Sequence, residues 1–209
     1  MSPDFAFWPE LIFKMAMTAA VVVFISIVVE RSGPFIGALI AALPTAAGAA
    51  YVILAIEHPP AFIAASAVGS MAIGAAVAIF AVVYAVLAQR HGLVPSLGLS
   101  LLAWFACAAL LRQVSWTPFG ALVLNAAVYA VTIPLSWRFR SSAPPPRVGG
   151  KATASVMAHA QVALIGLTLA FMAVHYLAEP LGSWWALGIG LCVAVAWSGI
   201  LMAVRRKAR

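Results

Sequence analysis

The sequence predicts an all-α, polytopic membrane helix bundle of about seven transmembrane helices, N-out/C-in, and three observations carry that expectation. First, 65% of the 209 residues are hydrophobic and only 8% are charged, whereas a soluble domain carries about 25% charged residues. Second, the apolar residues gather into long runs of about 20 residues, the length whose helical rise crosses a hydrocarbon core of about 30 Å. Third, Lys and Arg collect at alternate ends of those runs, as they do in cytoplasmic loops. Mean hydropathy is +1.09. Backbone groups in such runs must pair within the segment, which selects helices, and no alternating barrel-strand pattern is present.

Seven runs are read: Leu11–Val29, Pro34–Ile56, Phe62–Ala88, Val94–Leu111, Pro118–Trp137, Val156–Tyr176 and Ser183–Val204. The fourth and fifth are joined by a tight connection through Arg112–Thr117. With the C-terminal Arg205, Arg206, Lys207 and Arg209 inside, Arg31, Arg90, Arg138, Arg140, Arg147 and Lys151 also fall inside. Only Lys14 and Arg112 do not, and four carboxylates (Asp4, Glu10, Glu57, Glu179) fall outside, with Glu30 alone inside. An even number of crossings would spoil this separation. Trp8, Trp116, Trp184 and Trp185 mark the outer interface and Trp137 the inner one, while Trp104 and Trp197 lie deeper. The net charge of +7 thus sets topology, and no nucleic-acid partner is expected. The acidic N-terminus, Met1 to Glu10, is not expected to be a cleaved signal peptide.

Three units follow in order. Residues 1–140 form a five-span membrane unit, 141–152 a cytoplasmic Pro/Gly-rich linker, and 153–209 a two-span unit packed in the same bundle. The linker reads SSAPPPRVGG over 141–150, a semi-rigid composition. A shift of 146 residues lays Pro34 on Pro180, Gly37 on Ser183 and Pro44 on Gly190. An odd span count before the linker would make any such repeat a degenerate inverted one.

The candidate chemistry centres on Glu30–Pro59. Gly33, Gly37 and Ala41 recur every four residues and let a neighbouring helix approach closely. Pro44 sits near mid-span, lacks an N–H, and is expected to free the carbonyl of Ile40; Thr45 and Gly48 follow. A freed carbonyl and a hydroxyl at this depth are what transporters use to hold a solute, while a plain proline kink is the bland alternative. In run five Asn125 lies near mid-span, and Pro134, with Thr132 close by, frees the carbonyl of Ala130; Asn125 serves either as glue between helices or as a second side of the same site. The candidate substrate-binding residues are therefore Ile40, Pro44, Thr45, Gly48 and Asn125. Ser66, Ser70 and Gly74 in run three, and Gly190, Ala194 and Ser198 in run seven, repeat the four-residue spacing of packing faces and suit a tight bundle or a homodimer.

Other polar residues point to less. Lys14, four residues after Glu10, reads as a snorkelling cation with an i,i+4 partner. His159 and His175 are separated along one helix by roughly 24 Å, too far to share a metal. No metal or cofactor is expected. HExxH, GxSxG and Walker patterns are absent from the sequence, and no enzyme activity is expected. The last run lacks a lysine that could hold retinal, and no carboxylate lies at mid-span.

The segment GPFIGALIAALP, Gly33–Pro44, resembles a group of uncharacterised bacterial inner-membrane proteins with an early G-P-x-x-G-x-L-x-A-x-x-P segment, in which a Pro-rich linker often precedes a second copy. The second copy would be eroded here to Glu179–Gly190. The resemblance implies the bacterial cytoplasmic (inner) membrane and no particular activity. The expected partners are the lipid bilayer and a small solute. The expected function is a small-solute transporter or channel with its site at the broken second helix, the alternative being a non-transporting assembly or scaffolding subunit.

Overall fold

A computed structural model describes residues 7–41, 43, 45–140 and 150–207. Among these, every element is a helix: α1 Phe7–Ala41, α2 Thr45–Glu57, α3 Pro60–Leu87, α4 Leu93–Leu111, α5 Pro118–Trp137, α6 Gly150–Leu181 and α7 Ser183–Lys207. Five are long and apolar enough to cross a membrane, namely α3, α4, α5, α6 over Ala154–Leu181, and α7. The linker residues 141–149 lie outside the described residues.

Local chemistry sets most boundaries. Pro60 and Pro118 open α3 and α5 at a first-turn position where a missing N–H costs nothing. Thr117 caps α5 by accepting from the Gly120 N–H at 3.0 Å. Gly182, with φ +84°, ends α6 in the left-handed conformation that glycine adopts without strain. Pro180 stands one residue before the end of α6, whereas Pro34 lies within α1. The two prolines thus occupy different positions in their helices.

The sequence places a break at 30–33 between the first two runs, and this is corrected by the structure. Hydrogen-bonded helix continues from Phe7 through that segment to Ala41, and the Ser32 hydroxyl donates back to the Val28 carbonyl at 2.6 Å. Charge at Glu30 and Arg31 signals an interface but does not remove backbone bonding. Helix α1 ends at Ala41 and α2 begins at Thr45, so the second run is divided between the two.

The antiparallel pair α3 and α6 forms the centre and makes the most extensive packing in the bundle. Ala64 of α3 lies opposite His175, and Ala78 opposite Gln161. Small residues allow this closeness: Ala64, Ala67, Ala72, Ala75 and Ala78 are fully buried along α3. The second largest contact is between α6 and α7. There Trp197 lies against Gly166, and Val174 against Gly190, so close that a methyl group at either glycine would collide. Helix α5 lies against both α3 and α6, and α4 lies chiefly against α3. The main core joins Tyr51, Ile63, Met71, Ala121, Phe171 and Val174.

Candidate functional site

Polar residues inside an apolar bundle are costly unless paired, so their positions show where the fold concentrates chemistry. In α5, Asn125, Tyr129, Thr132 and Ser136 are all buried. Their spacing of four, three and four residues places them on one helix face. In α6, Gln161 and Thr168 stand two turns apart and are also buried. These two stripes and α3 meet in one polar seam.

Asn125 stands at one end of it. The side-chain amide nitrogen donates to the Met71 carbonyl and to the Ala121 carbonyl, each at 2.8 Å. The amide oxygen accepts from the Thr168 hydroxyl at 3.4 Å. Tyr129 OH lies 2.9 Å from the Thr168 hydroxyl and donates to the Leu164 carbonyl at 3.1 Å. Gln161 donates to the Ala78 carbonyl at 2.8 Å. Three helices are therefore tied through side-chain amides and hydroxyls, without a charged group among these bonds.

The pairing is incomplete. The Gln161 side-chain oxygen, the Thr132 hydroxyl and the Tyr84 hydroxyl are buried with no hydrogen-bond partner. Gln161 and Tyr84 are 0% and 1% exposed. An unpartnered buried polar atom costs about 1–3 kcal/mol. The three occur on α6, α5 and α3, the helices that form the seam.

The sequence-derived site is only partly assembled. Asn125 is buried as expected, but its bonds run to α3, α5 and α6. Gly48 instead lines a separate, mainly apolar cleft of about 450 Å³, with Val21, Tyr51, Phe171, Trp184 and Leu191. No residue of the Asn125 cluster lines that cleft, and α2 packs on α1, α7 and α3. The structure does not bring Gly48 to Asn125. The carbonyl of Ile40, expected to be free, accepts from the Leu43 N–H at 3.2 Å, because the chain tightens into a turn after α1. Pro44 lies outside the described residues, as does the Thr45 side chain; the backbone of Thr45 opens α2.

Among the packing residues, Gly37 is buried. Gly74 faces Asn125, whose amide oxygen would lie 3.5 Å from an added methyl. Ser66 is half-buried. Ser70 does more than keep a face small, since its hydroxyl lies 2.8 Å from Tyr51 OH and joins α3 to α2. The surroundings of Gly33 and Ala41 lie outside the described residues.

Sequence reasoning missed Tyr129, Gln161 and Thr168. The signal was present: polar residues at 125, 129, 132 and 136 in one run, and at 161 and 168 in another, keep helical spacing through otherwise apolar segments.

Among the described residues, no group of three His, Cys, Asp or Glu side chains could hold a metal ion. Compared with family models, with curated proteins and with solved structures, the chain matches none. Five long apolar helices, packed around a buried polar seam, are those of a multi-pass membrane protein.

Proposed function

We propose that this integral membrane protein passes a small, uncharged, hydrogen-bonding solute along the seam between α3, α5 and α6. The observation that carries the reading is the set of unpartnered buried polar atoms at Thr132, Gln161 and Tyr84. A dry apolar bundle gains nothing by keeping them, whereas water or a polar solute would satisfy them. The seam offers amides and hydroxyls, which favours a neutral solute over an ion. Helix α5 is the moving part: Pro134 lies inside it and removes the N–H that would bind the Ala130 carbonyl, a site of easy bending.

Seven crossings with the N-terminus outside remain part of the proposal. Val21 shares a cleft with Leu187 and Leu191, early in α7, and Phe35 meets Arg205 in the last turn of α7. Tyr51 then meets Ser70 and Phe171 on the way to the start of α3. This register supports two passages of the chain before α3, the second shared between the end of α1 and α2. Arg90 and Arg138, which follow α3 and α5, and Arg206 and Lys207 in the last turn of α7, all exposed, support a cytoplasmic basic end. The G-P-x-x-G-x-L-x-A-x-x-P segment supports a bacterial inner membrane.

Reconstituted liposomes test the reading by osmotic swelling with glycerol and urea as probes. Faster entry of either probe than in protein-free liposomes, lowered by Thr132→Val, is expected. Entry equal to that of protein-free liposomes would contradict it. The second reading, an assembly or scaffolding subunit, is favoured by the close Gly166–Trp197 and Gly190–Val174 contacts, which make a stiff bundle, and predicts no such permeability.

A further inference from the structure

We infer that the basic end of the bundle holds a site for the phosphate group of an anionic phospholipid, built around Arg140 and Ser155. This goes beyond the solute path and does not depend on it.

Arg140 follows the end of α5. Its Nε donates to the Ala158 carbonyl of α6 at 3.2 Å, and its guanidinium lies 4.6 Å from the Trp137 ring centroid. Those two contacts hold the fork in place, yet one of its terminal nitrogens, Nη2, is buried without a hydrogen-bond partner. Burial pushes the guanidinium below its ordinary pKa, so the fold has desolvated a cation and left a donor unused. A guanidinium fork matches phosphate geometry closely.

A second, independent polar atom lies on α6 about one turn before Ala158, the partner of Arg140. The Ser155 hydroxyl has no partner, and Ser155 is only 3% exposed. One turn on, His159 bonds the Ser155 carbonyl through Nδ1 at 2.9 Å. Arg140 reaches this same turn of α6, since its partner Ala158 is the residue before His159. Arg205 approaches from α7, its guanidinium 4.1 Å from the Phe35 ring centroid, and Phe35 in turn meets His159 edge-on at 5.7 Å. Positive charge from α7 and from the segment after α5 thus converges on one point of α6.

The flanking chemistry selects a lipid over a free anion. Trp137, the ring beneath Arg140, is 65% exposed, and exposed tryptophan beside a basic group is characteristic of the headgroup level of a bilayer. Basic pockets between helices at that level recognise phosphate headgroups.

The test uses the full chain, purified in detergent and depleted of lipid, with thermal unfolding measured in three additions: phosphatidylglycerol, phosphatidylcholine and inorganic phosphate. Phosphatidylglycerol is expected to raise the midpoint and phosphatidylcholine to raise it less. In Arg140→Gln the difference between the two lipids should fall by at least about half, since a fork donor is lost. Arg138→Gln, an exposed neighbour stacked on Phe139, should keep the full difference. Ser155→Ala deletes only an unpartnered hydroxyl and serves if Arg140→Gln does not fold; it should weaken the difference as well. Stabilisation by phosphatidylglycerol beyond that by phosphatidylcholine, with none from inorganic phosphate, supports a headgroup site. Stabilisation by inorganic phosphate alone would overturn the lipid and leave a soluble phosphate ligand. Equal effects of the two lipids, or a full difference in every folded variant, would overturn the site.

Discussion

The side-chain amide of Asn125 donates to the backbone carbonyl of Met71 at 2.8 Å, tying α5 to α3 at the middle of the bundle. The same amide accepts from Thr168, so one residue links three helices. Asn125→Leu should cost about 1 kcal/mol, the usual worth of an interhelical side-chain bond in a membrane. Asn125→Asp should cost more, because it removes the donor to Met71 and buries a carboxylate. Unfolding of both variants in mild detergent checks the order; equal stability of wild type and Asn125→Leu would show that the bond carries no weight.

Glycine at 190 is a second point of close approach. An added methyl there would lie 2.7 Å from a Val174 methyl and 3.1 Å from the Ala170 carbonyl. Gly190→Ala should therefore force α7 away from α6 and destabilise by about 1–3 kcal/mol. Gly188→Ala meets nothing within 4 Å and should be neutral. Combining Gly190→Ala with Val174→Ala should recover part of the loss, since one of the two obstacles is removed. Thermal unfolding of the three variants distinguishes a true contact from a general helix effect.

Gly166 and Trp197 make a stricter version of the same contact. A methyl at 166 would come within 2.6–2.9 Å of the Trp197 side chain, which also donates through its indole nitrogen to the Val162 carbonyl at 2.9 Å. Gly166→Ala should lower the unfolding temperature more than Trp197→Phe does. The first displaces the ring and breaks its bond, while the second loses only the bond and some area.

The two placements of the solute path separate cleanly by mutation. Gly48 has nothing within 4 Å of an added methyl and lines the apolar cleft. Gly48→Leu should fill that cleft and leave glycerol or urea entry unchanged if the path lies along α5. Thr132→Val should reduce entry at unchanged or higher stability, because it replaces an unpartnered hydroxyl with a methyl of similar size. The reverse pattern would return the site to α2.

Much of the architecture was legible because a bilayer imposes one rule on every span. Run five and α5 share the bounds Pro118–Trp137, and α4 begins one residue before its run. Helix α6 extends beyond its run at both ends, since Lys151, Thr153 and Glu179 end an apolar pattern without ending backbone hydrogen bonding. Glu30 and Arg31 misled in the same way within α1. The candidate site was less legible for a different reason. Asn125 announces itself as an amide in an apolar run, but its partner is the main-chain carbonyl of Met71, a group every residue carries. No residue type marks which carbonyl will face it. The Ile40 carbonyl is not left free, because the Leu43 N–H supplies a donor, a closure that proline placement alone does not reveal.

The central claim is that water reaches the seam at Thr132, and thiol accessibility tests it most directly. Thr132→Cys is introduced after replacing Cys107 and Cys192, both free thiols, with Ala. A membrane-impermeant thiol reagent is then applied from each side, with Val131→Cys, on an exposed apolar face of α5, as the lipid-facing control. Labelling at 132 and none at 131 is the predicted result. Protection of 132 from both sides in a folded protein would contradict the path and leave a dry bundle whose role is assembly.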